Sequence, residues 1–134
     1  MKILIIDGQG GNLGKQLVKM VTEKFPQFEL RAVGTNSIAT ENMLKAGVTQ
    51  AATGENAVIV GCRWADVIIG PIGIVIADAL LGEVTPKMAA AVGSSEAKRI
   101  LIPLNKCETL VAGIQNMSTS WLLEDAMSKI ESFT

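Results

Sequence analysis

The sequence predicts an α/β fold: a three-layer, doubly wound, mostly parallel sheet with five or six strands in a single domain over residues 1–134. Three observations predict it. Short apolar runs alternate with amphipathic stretches along the whole chain, the pattern of strands joined by crossover helices on both faces of a sheet. Hydrophobic residues make up 49% of the chain and aromatics only 4%, so the core is built from small aliphatics, which suit strands buried on both faces. The first apolar run, Ile3 to Asp7, leads straight into a turn carrying Gly8, Gly10, Gly11 and Gly14, with a helical pattern behind it.

The elements follow in order. The first strand covers Lys2 to Asp7. Leu13, Leu17, Met20 and Val21 stand at helical spacing and predict a helix over Asn12 to Lys24, which Phe25-Pro26 ends. A second strand runs from Glu29 to Val33. Asn36 or Ser37 then caps a helix reaching Lys45, closed by Gly47. A short third strand from Thr49 to Ala52 precedes a helix from Glu55 to Arg63. Asp66 to Gly70 is a near-continuous apolar strand, and Gly70-Pro71-Ile72-Gly73 turns it into a predicted helix over Ile74 to Leu81. Thr85-Pro86 reads as an N-cap with proline in the first turn of a short helix that Gly93 terminates. Arg99 to Pro103 is the fifth strand. Leu110 to Ile114 is read as a sixth, antiparallel because Asn105 to Thr109 is too short for a crossover helix. Ser118 or Ser120 caps a last helix that ends near Glu131.

Composition narrows the function. The net charge is −1 and the basic residues are scattered, so no nucleic-acid partner is expected. The longest apolar stretch, Val67 to Gly82, is broken by Pro71 and Asp78 and is shorter than the ~20 residues of a membrane helix, so no membrane partner is expected either. Cys62 and Cys107 lie far apart, and strand begins directly after Met1-Lys2, which reads as a cytoplasmic protein. Histidine and tyrosine are absent, removing the commonest acid–base group and metal ligand. No metal site is expected, and catalytic residues stay unassigned.

In doubly wound sheets ligands bind beyond the carboxyl ends of the strands, where the strand order reverses. The loops predicted at that edge are Asp7 to Gly11, Gly34 to Ser37, Thr53 to Asn56, Gly70 to Gly73 and Asn105 to Cys107, all rich in Gly, Asn and Thr. Those at the other edge, Phe25 to Phe28, Ala46 to Val48 and Gly61 to Trp64, read as ordinary connectors. A glycine turn opening a helix lets backbone N–H groups and the positive helix end approach an anion. The expected ligand-binding residues are therefore Gly8, Gln9, Gly10, Gly11, Asn12, Leu13 and Gly14, with Thr35, Asn36 and Ser37 beyond the second strand and Gly70 and Pro71 beyond the fourth. The expected partner is a small phosphate-containing molecule. Leu13 breaks a G-x-G-x-x-G motif started at Gly8. Gln9 and Gln16 break a Walker A loop, so ATP hydrolysis is disfavoured.

The spacing that does fit is G-x-x-G-x-x-G, at Gly8, Gly11 and Gly14. It resembles the loop of extended and atypical short-chain dehydrogenases, and that of dihydrodipicolinate-reductase-like enzymes, and the resemblance implies a Rossmann-like fold and NADP or NAD as cofactor. The Tyr-x-x-x-Lys pair of the dehydrogenases is absent, since the chain has no tyrosine. Gly34-Thr35-Asn36-Ser37 stands where a Rossmann acid would bind ribose hydroxyls; its neutral groups accommodate NADP at least as well as NAD, although no arginine accompanies them. Over nearly its full length, through Ile-Asp-Gly-Gln-Gly-Gly, Gly-Thr-Asn-Ser-Ile-Ala-Thr, Ala-Thr-Gly-Glu-Asn-Ala and Ile-Pro-Leu-Asn-Lys-Cys, the chain resembles a family of short bacterial proteins of unknown function. That resemblance implies no activity.

Single residues carry weaker expectations. Asp7 is expected to hold the glycine turn by accepting its N–H groups, in preference to contacting a ligand. Lys15 either reaches a phosphate or is solvated. Asn56 is a candidate ribose contact, while Glu55 favours the helix dipole. Asp78 is the one charge in the predicted 74–81 helix, which suggests a homodimer packed through that region. Cys107 stands where a nucleophile would, with Lys106 beside it to lower its pKa, but with no histidine to serve as base it reads as a semi-buried thiol, and Cys62 beside Trp64 reads as packing. The reading is a sensor or accessory module binding a nucleotide or dinucleotide. Its alternatives are a small enzyme using NAD(P) or a phosphorylated metabolite, and a ligand-free scaffold. Gly11→Val is expected to abolish binding and leave the fold intact.

Overall fold

The computed structural model describes residues 1–104 and 108–134. Strand β1 (Lys2–Asp7) lies at the centre of a five-stranded parallel sheet of order β3-β2-β1-β4-β5, formed with β2 (Glu29–Gly34), β3 (Ala51–Thr53), β4 (Val67–Pro71) and β5 (Lys98–Ile102). Helices α1 (Asn12–Lys24), α2 (Ser37–Lys45), α3 (Glu55–Trp64), α4 (Pro86–Ser94) and α5 (Thr119–Ser132) complete the three layers. This is the predicted doubly wound, Rossmann-like α/β fold.

Alternation along each strand divides the core. Ile3, Ile5, Val67, Ile69, Ile100 and Ile102 face one layer, where Leu17, Val18 and Val21 of α1, Met43 of α2 and Leu123, Met127 and Ile130 of α5 pack. Leu4, Ile6, Val33 and Ile68 face the other, against Val58 and Cys62 of α3 and Met88 and Val92 of α4. Each fully buried aliphatic side chain contributes about 1.5–3 kcal/mol relative to exposure. The first two crossovers therefore run on one face and the next two on the other, placing the reversal between β1 and β4.

The predicted caps close the helices. Asn36 Oδ1 accepts the Ala39 N–H at 2.9 Å, Thr85 Oγ1 the Met88 N–H at 3.1 Å and Ser118 Oγ the Trp121 N–H at 3.1 Å, each satisfying one otherwise orphaned donor.

Two expected elements are absent among the described residues. The segment 74–81 is not a helix. A one-turn 3-10 helix, Ile72–Val75, is followed by tight turns in which Asp78 (φ 66°), Leu80 (φ 56°), Leu81 (φ 57°) and Gly82 (φ 90°) are left-handed. Its β-branched Ile72, Ile74, Val75 and Ile76 are poor helix formers, and burial of Ile74 and Leu80 against the sheet decides its path. Asp78 is exposed, so water solvates it, and the argument for a homodimer through this helix loses its premise. Nor is Leu110 to Ile114 a strand. It turns at Gly113 (φ 83°) with Leu110 89% exposed, because a left-handed residue in the middle of so short a run interrupts extended pairing. No helix among the described residues is long and apolar enough to cross a membrane.

Candidate functional site

The glycine turn is built around Asp7. This last residue of β1 is buried, and its carboxylate accepts the Gly8 N–H on Oδ1 at 2.8 Å and the Gly14 N–H on Oδ2 at 2.6 Å. Burial pushes its carboxyl above the usual range; the Gly14 and Gly8 N–H groups oppose this, and the nearby charge of Glu83 adds to it. Asp7 thus does what the sequence led us to expect, holding the turn.

The glycines are steric requirements. Gly11 (φ 73°) sends its N–H to Gly8 O at 2.9 Å, and a Cβ on it would lie 2.7 Å from Ala39 Cα, inside the α2 backbone. At Gly14 a Cβ would meet Met43 Sδ at 2.6 Å and Asp7 Cβ at 2.8 Å. Gly11 and Gly14 therefore let α1 close onto α2 and the sheet, and Gly11→Val is a folding mutation, contrary to expectation. Around Gly10, in contrast, there is open space.

On the outer side of the turn lies a cleft of about 340 Å³ lined by Asp7 through Leu13 with Gln16, Leu80, Leu104 and Thr119. Among the described residues no acceptor takes the N–H of Gly10, Asn12 or Leu13. These donors stand at the N-terminal, positive end of the 13-residue α1. Lys15 is exposed and outside the cleft lining.

The other side of the turn is closed. Glu83, which the sequence did not single out, reaches across from the strap 76–84, and its Oε1 accepts the Gln9 N–H at 2.9 Å, Thr35 Oγ1–H at 2.8 Å and Asn36 Nδ2–H at 2.7 Å. Partial burial disfavours its charge, but these three donors outweigh that and hold its carboxyl below the usual range. Asn36 Nδ2 also reaches Gln9 O at 2.9 Å. Glu83 follows the left-handed Gly82, and that turn was the only local signal that the chain doubles back here.

The expected site residues thus fall into groups. Gly8 to Leu13 line the cleft, and Gly14 lies behind them as packing. Thr35 and Asn36 meet the turn through Glu83, while Ser37 is exposed on the first turn of α2. At Gly70 β4 passes close against β1: a Cβ there would overlap Ile6 O. Pro71 is buried at the end of β4. Asn56 is exposed and distinct from the cleft lining, and Glu55 Oε1 accepts the Thr85 hydroxyl at 2.7 Å, tying α3 to α4. Lys106 and Cys107, for which a reactive role was weighed, lie outside the described residues. Cys62 is buried, which pushes its thiol up to about 11, as suits a packing residue.

A larger cavity, about 730 Å³, opens at the opposite edge beside Cys62, Trp64 and Ser95. It lies at the C-terminal ends of α3 and α4, whose carbonyls repel anions, and its lining combines Arg63 with Asp66 and Glu96.

No curated protein matches the chain. A family model does, over residues 2–134, and the chain belongs to the family described as a domain of unknown function, DUF3842.

Proposed function

We propose that this protein binds a small phosphate-bearing ligand of nucleotide type in the cleft along Gly8 to Leu13, as a sensor or accessory module. The observation that carries the reading is the set of N–H groups of Gly10, Asn12 and Leu13, which lack an acceptor among the described residues and line a cleft at the positive end of α1. The position of the cleft beside the strand-order reversal supports it. Its volume, near the lower end of the roughly 300–1,000 Å³ range of ligand pockets, favours a mononucleotide or phosphorylated metabolite. An NADP or NAD molecule fits if its second half runs out along the sheet edge or displaces the strap. A scaffold role draws support from Asp7 and Glu83, which occupy the Gly8, Gln9 and Gly14 N–H groups, and from Gly8 O, which takes that of Gly11.

Thermal unfolding in the presence of AMP, FMN, ribose 5-phosphate, NAD and NADP tests the proposal. A ligand at 100 times its Kd adds about 2.7 kcal/mol, a shift of several degrees. Gly10 lines the cleft and a Cβ on it meets nothing within 4 Å, so Gly10→Leu adds bulk at the cleft without a clash; it is expected to keep the unliganded melting temperature and lose the shift. No shift with any of the five would favour the scaffold, and a shift that survives Gly10→Leu would put the binding outside this cleft.

A further inference from the structure

The open cleft uses donors on one side of the glycine turn, and those on the other side are already engaged by the chain itself. The Gln9 N–H from the tip of β1 and the Thr35 hydroxyl and Asn36 amide from the tip of β2 converge on a single oxygen, Glu83 Oε1, at 2.7–2.9 Å. The other oxygen, Oε2, has no hydrogen-bond partner among the described residues. We propose that Gln9 N–H, Thr35 and Asn36 form a second anion subsite, for a phosphate or carboxylate group of a ligand, and that Glu83 fills it as an intramolecular stand-in.

Chemistry selects the ligand class. Three donors on one oxygen saturate an anionic oxygen, whereas a sugar hydroxyl has two lone pairs and a proton of its own to place. The group recognised there is therefore an unprotonated oxyanion. Asn36 is held for the task, because its Oδ1 is fixed by the Ala39 N–H at the start of α2, which aims Nδ2 at the subsite.

The strap is built to release. Asp78, Leu80 and Leu81 hold left-handed backbone angles unusual for non-glycine residues, and the side chain of Leu81 at its tip is 97% exposed. What keeps it down, apart from its internal turns, is burial of Leu80 and Val84 and the three bonds to Glu83. A tethered carboxylate acts at a high effective concentration, so an anion in solution competes with Glu83 for these donors. The subsite shares the glycine turn with the proposed cleft but not its donors, so a ligand with two anionic groups would span both.

Isothermal titration with inorganic phosphate separates the alternatives. Glu83→Ala empties the subsite and is expected to bind phosphate about tenfold tighter than wild type. Adding Thr35→Val to that variant removes one donor and is expected to return affinity to the wild-type level. A folded Glu83→Ala protein without the gain overturns the proposal. So does a gain that survives Thr35→Val, since it would come only from deleting a negative charge near the turn. If Glu83→Ala does not fold, Glu83→Gln serves: its neutral side chain competes less, and about a threefold gain in the same direction is expected, its absence counting against the subsite. Gly10→Leu acts on the cleft alone. A gain that persists in Glu83→Ala/Gly10→Leu supports the subsite even where the cleft reading fails.

Discussion

The two sides of the glycine turn carry the same backbone chemistry and have opposite fates. On the α1 side, Gly10, Asn12 and Leu13 line a cleft, and their N–H groups have no acceptor among the described residues. On the β2 side, the Gln9 N–H ends on Glu83, and inside the turn the Gly8 and Gly14 N–H groups end on Asp7. A glycine-rich turn is thus not uniformly a cradle. Two carboxylates of the chain and the Gly8 carbonyl already satisfy part of it, and the proposed ligand is left the N–H groups of Gly10, Asn12 and Leu13.

The contrast can be broken at the packed face first. Gly11→Val places a β-branched side chain at φ 73° against the α2 backbone and is expected to cost about 3 kcal/mol or more, read from urea unfolding; a change below about 0.5 kcal/mol would show that the packed face gives way easily. Next comes Asp7→Asn. One amide oxygen cannot replace two carboxylate oxygens, and the NH₂ group would confront a backbone donor, so a loss of about 2 kcal/mol is expected. A neutral result would mean that the turn stands without its buried acceptor.

The smallest effect sharpens the closed side. Because Glu83 is held below its ordinary value of 4.5, its contribution to stability is complete above that value and disappears as pH falls through the lowered folded value. Glu83→Gln is expected to be about 1 kcal/mol less stable than wild type near neutral pH, and the difference should vanish in acid. Asp7, raised by burial, has the opposite sign: its ionisation is disfavoured by the fold, so acid relieves a penalty, and it does so in both proteins. Melts that stay a constant distance apart between about pH 6 and pH 3 would remove Glu83's charge from the account.

Much of the fold was legible because its signals are local. The helical spacing of Leu13, Leu17 and Val21, the Asn36, Thr85 and Ser118 caps and the apolar runs of β1 and β4 each act within a few residues and agree with the tertiary packing. The segment 74–81 was not legible in this way. A stretch apolar but for Asp78 is consistent with a buried helix and with a strap pinned at Ile74 and Leu80, and only the sheet beneath it decides. The site was half legible for the same reason. The donors of the turn follow from Gly8, Gly10 and Gly11, but its internal acceptor lies 74 positions away at Glu83, beyond the reach of any spacing rule.

The register of β4 on β1 has a consequence in time. Strands β1, β2 and β3 join through consecutive crossovers, while β4 reaches β1 only across a long separation: Lys2 N–H meets Asp66 Oδ2 and Asp66 N–H meets Lys2 O, 64 positions apart. Closing so long a loop is entropically slower than pairing near neighbours. The first half of the sheet is therefore expected to assemble early and the second to dock upon it. Both the Leu80 and Leu104 wall of the cleft and the Glu83 bonds belong to that second half, so the proposed binding site is completed at the end of folding, and a chain stalled midway carries the glycine turn without it.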